Sequence, residues 1–304
     1  MLTIEVRKLM PSVEDGTKPL GDASASNDIR DFAKWMCSKV LLLWKKTRDK
    51  IREIYESRNI LHSLVRKSIE GRYKNSFLGI GWQLLTPIIS VVLFYVVFTG
   101  VLDNNIEDYW VYLCVGMFPF SFMQSNLSGS GVIANNGSII NKIYFPREII
   151  VLAQVLSSFI VTLIAYIFII SLMLISGHHF DLLAFLCLVP VTILTIMFTV
   201  GYTLLFSALT VFARDVEYFF VAISRAFFWV TPIFYMVDNM NDVIGAIVWF
   251  NPFTYFIECF HDCLYWATVP NLDILTMCLA LAIIALLVGT YSFDKLKGKF
   301  AERI

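Results

Sequence analysis

Uncharged apolar residues in this chain come in blocks about as long as a lipid bilayer is thick, and few folds accommodate that pattern. A hydrocarbon core about 30 Å deep takes around 20 predominantly apolar residues in helical form. Six stretches meet the requirement: residues 83–102, 109–127, 149–176, 182–212, 218–237 and 272–290. The second carries Pro119, the fourth Pro190 as a candidate kink, and the fifth a single charge, Arg225. Hydrophobic residues make up 58% of the 304, against roughly 45–50% in ordinary globular chains, and charged residues 16% against about 25%. Charge-free runs of this length do not suit a soluble core. The expectation is an all-α integral membrane protein with six transmembrane helices.

Charge placement orients it. Of the 24 Lys and Arg, 16 precede residue 83; Lys142, Arg147, Arg214 and Arg225 follow, then Lys295, Lys297, Lys299 and Arg303. Segments 103–108, 177–181 and 238–271 hold no Lys or Arg but carry Asp103, Glu107, Asp108, Asp181, Asp238, Asp242, Glu258 and Asp262. Basic residues collect on the cytoplasmic side of membrane proteins. Six spans with both termini cytoplasmic put every base except Arg225 on that side. The formal net charge of zero is thus a cancellation across a membrane. It also offers no bulk positive charge to a nucleic acid.

Residues 1–57 read as a cytoplasmic extension. The first 27 are polar, with Pro11, Gly16, Pro19 and Gly21, and read as a flexible tail; residues 1–30 lack the continuous apolar core of a cleavable signal. Gly16 and Gly21 have the spacing of a phosphate-binding loop, but Asp22 stands where a lysine must hold phosphates, so ATP is not hydrolysed by that route. Asn27 and Asp28 can cap a helix reaching about Tyr55, with Phe32, Trp35, Met36, Val40 and Leu43 on one face and a basic run 45–52. It is either a solvated amphipathic helix or one lying on the anionic inner leaflet.

A second amphipathic segment leads into the first span. Ile60, Leu61, Leu64, Val65 and Ile69 form one stripe, with His62, Arg66, Lys67 and Glu70 opposite, followed by Arg72, Tyr73 and Lys74. This is the pattern of an interfacial helix lying among lipid headgroups. Between spans two and three, residues 128–148 open with Ser-Gly-Ser-Gly and close on Asn141-Lys-Ile-Tyr-Phe-Pro-Arg-Glu148. Pro146 should stop a short helix and leave Tyr144 and Phe145 exposed, as a docking knob beside Arg147 or as part of the interfacial aromatic belt. Residues 238–271 hold two short apolar runs broken at Asn251-Pro252, the outline of a hairpin re-entering the membrane from outside. Backbone at that depth is tolerated only against protein or a water-filled path.

Candidate chemistry is sparse. Cys259, His261 and Cys263 invite a metal reading, but three residues filling one helical face explain them as well. Arg225 inside a span is costly, and it can contact an anionic ligand, reach to the inner face, or pair with a carboxylate of another chain. Aromatic residues crowd spans five and six, among them Phe228, Trp229, Tyr235 and Tyr255, and offer flat faces on which sugar rings stack. No HExxH or GxSxG occurs, and no span holds paired carboxylates. These absences count against two function classes, a membrane-embedded glycosyl- or acyltransferase and an ion-coupled carrier or channel working without an ATPase.

Four segments together resemble the membrane subunit of type-2 ABC exporters of the polysaccharide and polyol-phosphate class, which move O-antigens, capsules or teichoic acids. They are Arg72-Tyr73-Lys74-x-Ser76-x-Leu78-Gly79-x-x-Trp82 with Pro87; residues 141–148; Arg214-Asp215-Val216 followed by Thr231-Pro232-Ile233-Phe234-Tyr235; and Asn251-Pro252-Phe253-Thr254-Tyr255-x-x-Glu258 with Phe300-Ala301-Glu302. The similarity covers residues 58–304. Ser68 and Glu70 depart from it, standing where an acid and a base would be expected. The resemblance implies a homodimeric permease in the cytoplasmic (inner) membrane, paired with two copies of a separate ABC ATPase that binds ATP and Mg. This chain itself would need no cofactor. By the same resemblance Asn141, Lys142, Tyr144, Phe145, Pro146, Arg147 and Glu148 form the coupling loop. Arg72, Tyr73 and Lys74 belong to the interfacial helix near the ATPase. Asn251, Pro252, Tyr255 and Glu258 belong to the outer gate. A lipid-linked glycan would pass through the dimer, with Arg225, Phe228, Trp229 and Tyr235 as candidate path residues.

Overall fold

The computed structural model describes residues 52–73, 81–100, 106–137, 145–237 and 241–303. The chain divides into two compact units, Met1–Tyr55 and Glu56–Ile304. The predicted tail and basic helix fall almost wholly outside the described residues. The second unit is all-helical, with no strand among the described residues.

Its elements in order are α1 (Arg58–Tyr73), α2 (Gly81–Gly100), α3 (Tyr109–Ser128), the short α4 (Val132–Asn135), α5 (Glu148–Ile175), α6 (Leu182–Thr210), α7 (Asp215–Val230), α8 (Asp242–Phe250), α9 (Pro252–Phe260), α10 (Leu272–Leu296) and the final turn α11 (Phe300–Arg303). Among the described residues, three helices are long and apolar enough to cross a membrane: Glu148–Ile175, Leu182–Thr210 and Leu272–Lys299. The broken pair Asp242–Phe250 and Pro252–Tyr265, bent by 94°, raises the number to four if it counts as one span.

α3 is the centre of the bundle. It is apolar all round, and such a helix buries every face. Tyr112, Leu113, Met117, Phe120 and Met123 are almost fully covered, and α2, α5, α7 and α9 pack around it. α6 and α10 form the tightest pair, because Gly201 and Gly289 meet: a Cβ on Gly289 would stand 2.0 Å from the Gly201 carbonyl oxygen. Small residues let membrane helices approach this closely. α1 lies along α5, where Ser68 and Ser157 share a hydrogen bond at 3.0 Å. Its apolar stripe is the half-covered face, while His62, Arg66, Lys67 and Glu70 are exposed. Glu70 accepts from Arg66 Nε at 2.6 Å, and this hydrogen bond raises the Arg66 pKa above its ordinary value.

The stretch 218–237 differs from the uninterrupted helix read from the sequence. α7 stops at Val230, and residues 231–235 form a bend that is buried up to Phe234. Pro232 has no N–H to continue the ladder and pushes the residue before it out of the helical region. Thr231 accordingly sits at φ −76°, ψ 136°. Pro190, in contrast, is accommodated within α6 without a break in the helix.

Two clusters of contacts tie the helices of the second unit together. At one, Arg147 of the α4–α5 loop and Phe212 at the foot of α6 both lie against Phe300 beyond α10. At the other, His178 after α5 bonds Asp108 at 2.9 Å and the Tyr265 carbonyl at 3.0 Å.

Candidate transport site

The bend after α7 is built into the bundle by side-chain hydroxyls. Tyr109 Oη donates to the Phe234 carbonyl at 2.8 Å and Tyr112 Oη to the Tyr235 carbonyl at 2.7 Å. Tyr235 Oη turns back to the Val230 carbonyl at 2.6 Å. Carbonyls released by the break are thus partnered without water, as apolar surroundings require. Phe228, Trp229 and Phe234 then pack on Phe94 of α2, Phe94 and Phe234 being stacked with centroids 5.5 Å apart.

The 94° break between α8 and α9 is organised by Asn251. Its Oδ1 accepts from the Phe253 N–H at 3.1 Å, capping α9, whose first residue is Pro252. Its Nδ2 donates to Thr231 Oγ1 at 2.7 Å, so the hairpin corner is fastened to the α7 bend. Tyr255 lies against Trp249 across the corner, ring centroids 5.1 Å apart. Glu258 is half-buried on α9.

Past α9 the chain forms one wide π-turn, His261–Tyr265. His261 stacks flat on Tyr112 at 3.9 Å with 8° between the rings, and its Nε2 lies 3.1 Å from the Tyr112 carbonyl. Gly116 makes room, since a Cβ there would come within 3.0 Å of that nitrogen. The cysteines flanking His261 have other surroundings: Cys259 Sγ lies 3.8 Å from Cys278 Sγ of α10, and Cys263 is buried. The Tyr112–His261 pair was not legible in the sequence, because 149 residues separate its members. The only local signal is an isolated histidine in an apolar helix.

Sequence-chosen path residues separate into two settings. Phe228 and Tyr235 are half-buried in the aromatic cluster, whereas Arg225 is exposed on α7 and Trp229 is 61% exposed. In the loop, Asn141, Lys142 and Tyr144 lie outside the described residues, as does Lys74; Arg72 and Tyr73 close α1. Phe145 corrects an expectation. It is only 7% exposed, so it anchors the loop end rather than projecting as a knob. Next to it Pro146 is half-buried, Arg147 donates to the Lys297 carbonyl, and Glu148 receives Lys297 Nζ at 2.8 Å.

A groove of about 410 Å³ opens between α2, α3 and α5. Trp82, Phe118 and Phe122 give it aromatic walls, and Thr86, Ser121, Ser125 and Thr162 line it too. Each of those four hydroxyls spends its proton on a backbone carbonyl of its own helix, at 2.8–3.0 Å. What they offer the groove is lone pairs, and no charged residue joins them among the described residues. A ligand rich in O–H donors fits that lining. A second cavity of about 340 Å³ lies where α1 and α5 meet residues 129–136, with Lys67, Asn135, Asn136 and Gln154 on its walls.

Long apolar helices around a buried central helix, with a broken helix pair beside it, define a polytopic membrane protein. A family model described as ABC-2 type transporter matches residues 60–265, and the chain belongs to that family. It is 30% identical to an O-antigen export system permease protein RfbA of Klebsiella pneumoniae over 246 residues, 80% of this chain and 94% of that protein. An RfbA of Myxococcus xanthus is 25% identical over 260 residues, 84% of this chain and 98% of its own length. The polysialic acid transport protein KpsM of Escherichia coli is 21% identical over 202 residues, 65% of this chain and 78% of its own. Family and apolar helices together make this a multi-pass protein of the inner membrane.

Proposed function

We infer that the chain is the permease subunit of an ATP-driven exporter that moves a lipid-linked polysaccharide or polyol-phosphate polymer across the cytoplasmic membrane. The observation that carries this is the similarity to an O-antigen export permease, 30% identity over 246 residues and 94% of that protein, within a family match that covers residues 60–265. A neutral, aromatic-walled groove offering hydroxyl acceptors supports a glycan as cargo. The working unit would be a homodimer with two ABC ATPase subunits holding ATP and Mg. Six crossings would leave both termini cytoplasmic, with residues 1–57 as a cytoplasmic extension. The loop 128–148 and α1 would face the ATPase, and the α8–α9 pair would cap the exit. Arg225, exposed on α7, would meet phosphate groups of the cargo or its carrier.

The test is reconstitution of this chain with an ABC ATPase expressed from the same operon, in vesicles containing lipid-linked glycan from the same cells. Glycan-stimulated ATP hydrolysis and glycan in the lumen are expected. Glycan transport by this chain without any ATPase, or an ATPase complex indifferent to glycan, would overturn the proposal.

A further inference from the structure

Phe300 is not among the candidate path or gate residues, yet its side chain is completely enclosed. Phe300 is 0% exposed, edge-on to Phe293 of α10 at 5.4 Å and 6.2 Å from Phe212 at the foot of α6. Above it, 5.7 Å from the ring centre, lies the guanidinium of Arg147, which also donates to the Lys297 carbonyl. Lys297 reaches across in return, to Glu148 Oε1 at 2.8 Å and to Asp294 Oδ1 at 3.0 Å. Two consecutive residues at the exit of the 128–148 loop are therefore held by Lys297 and Phe300, with Asp294 steadying the lysine. The contacts differ in kind: a cation over an aromatic face, a backbone hydrogen bond, and an ion pair whose carboxylate is 10% exposed. A partly buried pair of this sort is more costly to break than a surface one, because the remaining charge is left without its partner.

The helix that carries the clamp is closely packed. α10 is locked to α6 through Gly201 and Gly289, and near its other end Cys278 touches Cys259 of the hairpin helix α9. We propose that Asp294, Lys297 and Phe300 are positioning residues that clamp the exit of the 128–148 loop to α10, so that a movement imposed on the loop is delivered to the last long helix. The proposal rests on the exporter reading, in which that loop meets the ATPase. Coupling between distant sites can travel through ion-pair networks and packed helices, and the clamp would join the loop to one.

The experiment is a charge-swap cycle in the complete complex: Lys297→Glu, Glu148→Lys, and both together, with Lys297→Arg as the conservative variant. Lys297→Glu sets a third carboxylate against those of Glu148 and Asp294 and opens the clamp. In the double variant the ammonium comes from position 148 and faces the carboxylates at 294 and 297. Glycan exported per ATP hydrolysed is expected to fall roughly two- to thirtyfold in Lys297→Glu, the range over which single positions modulate coupling between sites. It should return to within about twofold of wild type in the double variant and in Lys297→Arg. The clamp as a coupling device is overturned if exported glycan per ATP stays at the wild-type value in Lys297→Glu, or if the double variant does not recover. Thermal melting of the purified full-length chain reports the ion pair whatever the cargo is. A melting temperature lowered in Lys297→Glu and restored in the double variant supports the contact, and additive losses refute it. Failure of the wild-type complex to respond to glycan would overturn the exporter reading instead, leaving the melting result standing.

Discussion

Asn251 does two things with one amide. Its carbonyl oxygen caps α9 and its NH₂ group holds Thr231 in the α7 bend. The site is 3% exposed, so neither partner finds water if the amide is removed. Asn251→Ala should therefore cost more than the ~1 kcal/mol of a lost cap, since Phe253 N–H and the corner contact go together. Asn251→Asp keeps the acceptor and loses the donor, and should fall between. Melting of the solubilised protein in the order wild type, Asp, Ala checks this; equal melting of Ala and wild type would dismiss the corner role. The position was legible because Asn followed by Pro marks a helix start on its own. Thr231 as its partner was not, since it lies 20 residues away across a bend. Phe145 shows the opposite failure. Local pattern placed it beside a charge at a helix stop, while long-range packing against the rest of the bundle buried it.

Among the elements, the α6–α10 seam is the most demanding. A methyl at position 289 would sit 2.0 Å from the Gly201 carbonyl oxygen, and one at 201 would sit 2.4 Å from the Ala285 carbonyl carbon. Backbone, unlike a side-chain tip, cannot swing aside. Gly289→Ala should therefore destabilise by at least the roughly 1–3 kcal/mol of an overpacked core. Gly245→Ala in α8 meets nothing within 4 Å and should be neutral or stabilising, by up to about 1 kcal/mol, because Gly is a poor helix former. Comparing yields and melting of the two variants separates a packing effect from a mere change of helix propensity; equal behaviour would mean that the seam tolerates a methyl and is not close-packed. The long helices were readable from hydropathy alone, because each is a single uninterrupted run. α7 was not, because apolar composition continues smoothly through Thr231 and Pro232 while the hydrogen-bond ladder does not. The seam glycines carry no local signal, since what defines each of them is a neighbouring helix far away in the chain.

At the scale of the whole molecule, length decides where the topology is most open to test. At 1.5 Å per residue, α5 with 28 residues and α6 with 29 run about 42 and 44 Å, more than a 30 Å core demands. α7, with 16 residues, runs only about 24 Å and cannot cross that core alone. On the six-span reading the chain would enter the bend 231–235 while still at membrane depth, where the tyrosine hydroxyls of α3 partner its carbonyls. If the bend and hairpin complete the crossing, the segment after the π-turn emerges beside His178 and Asp108, where Tyr265 already lies. If they do not, residues 241–268 remain on the side of Arg214. Single accessible cysteines in a background without the native ones distinguish the two. Cysteines at Asn104, His179 and Thr268 should react with an impermeant thiol reagent added outside, and those at Ala213 and Arg303 only after permeabilisation. Labelling at Thr268 only after permeabilisation would return the broken segment to the cytoplasmic face and leave the acidic loop 238–271 on the same side as the bases. That arrangement opposes the charge asymmetry from which the orientation follows.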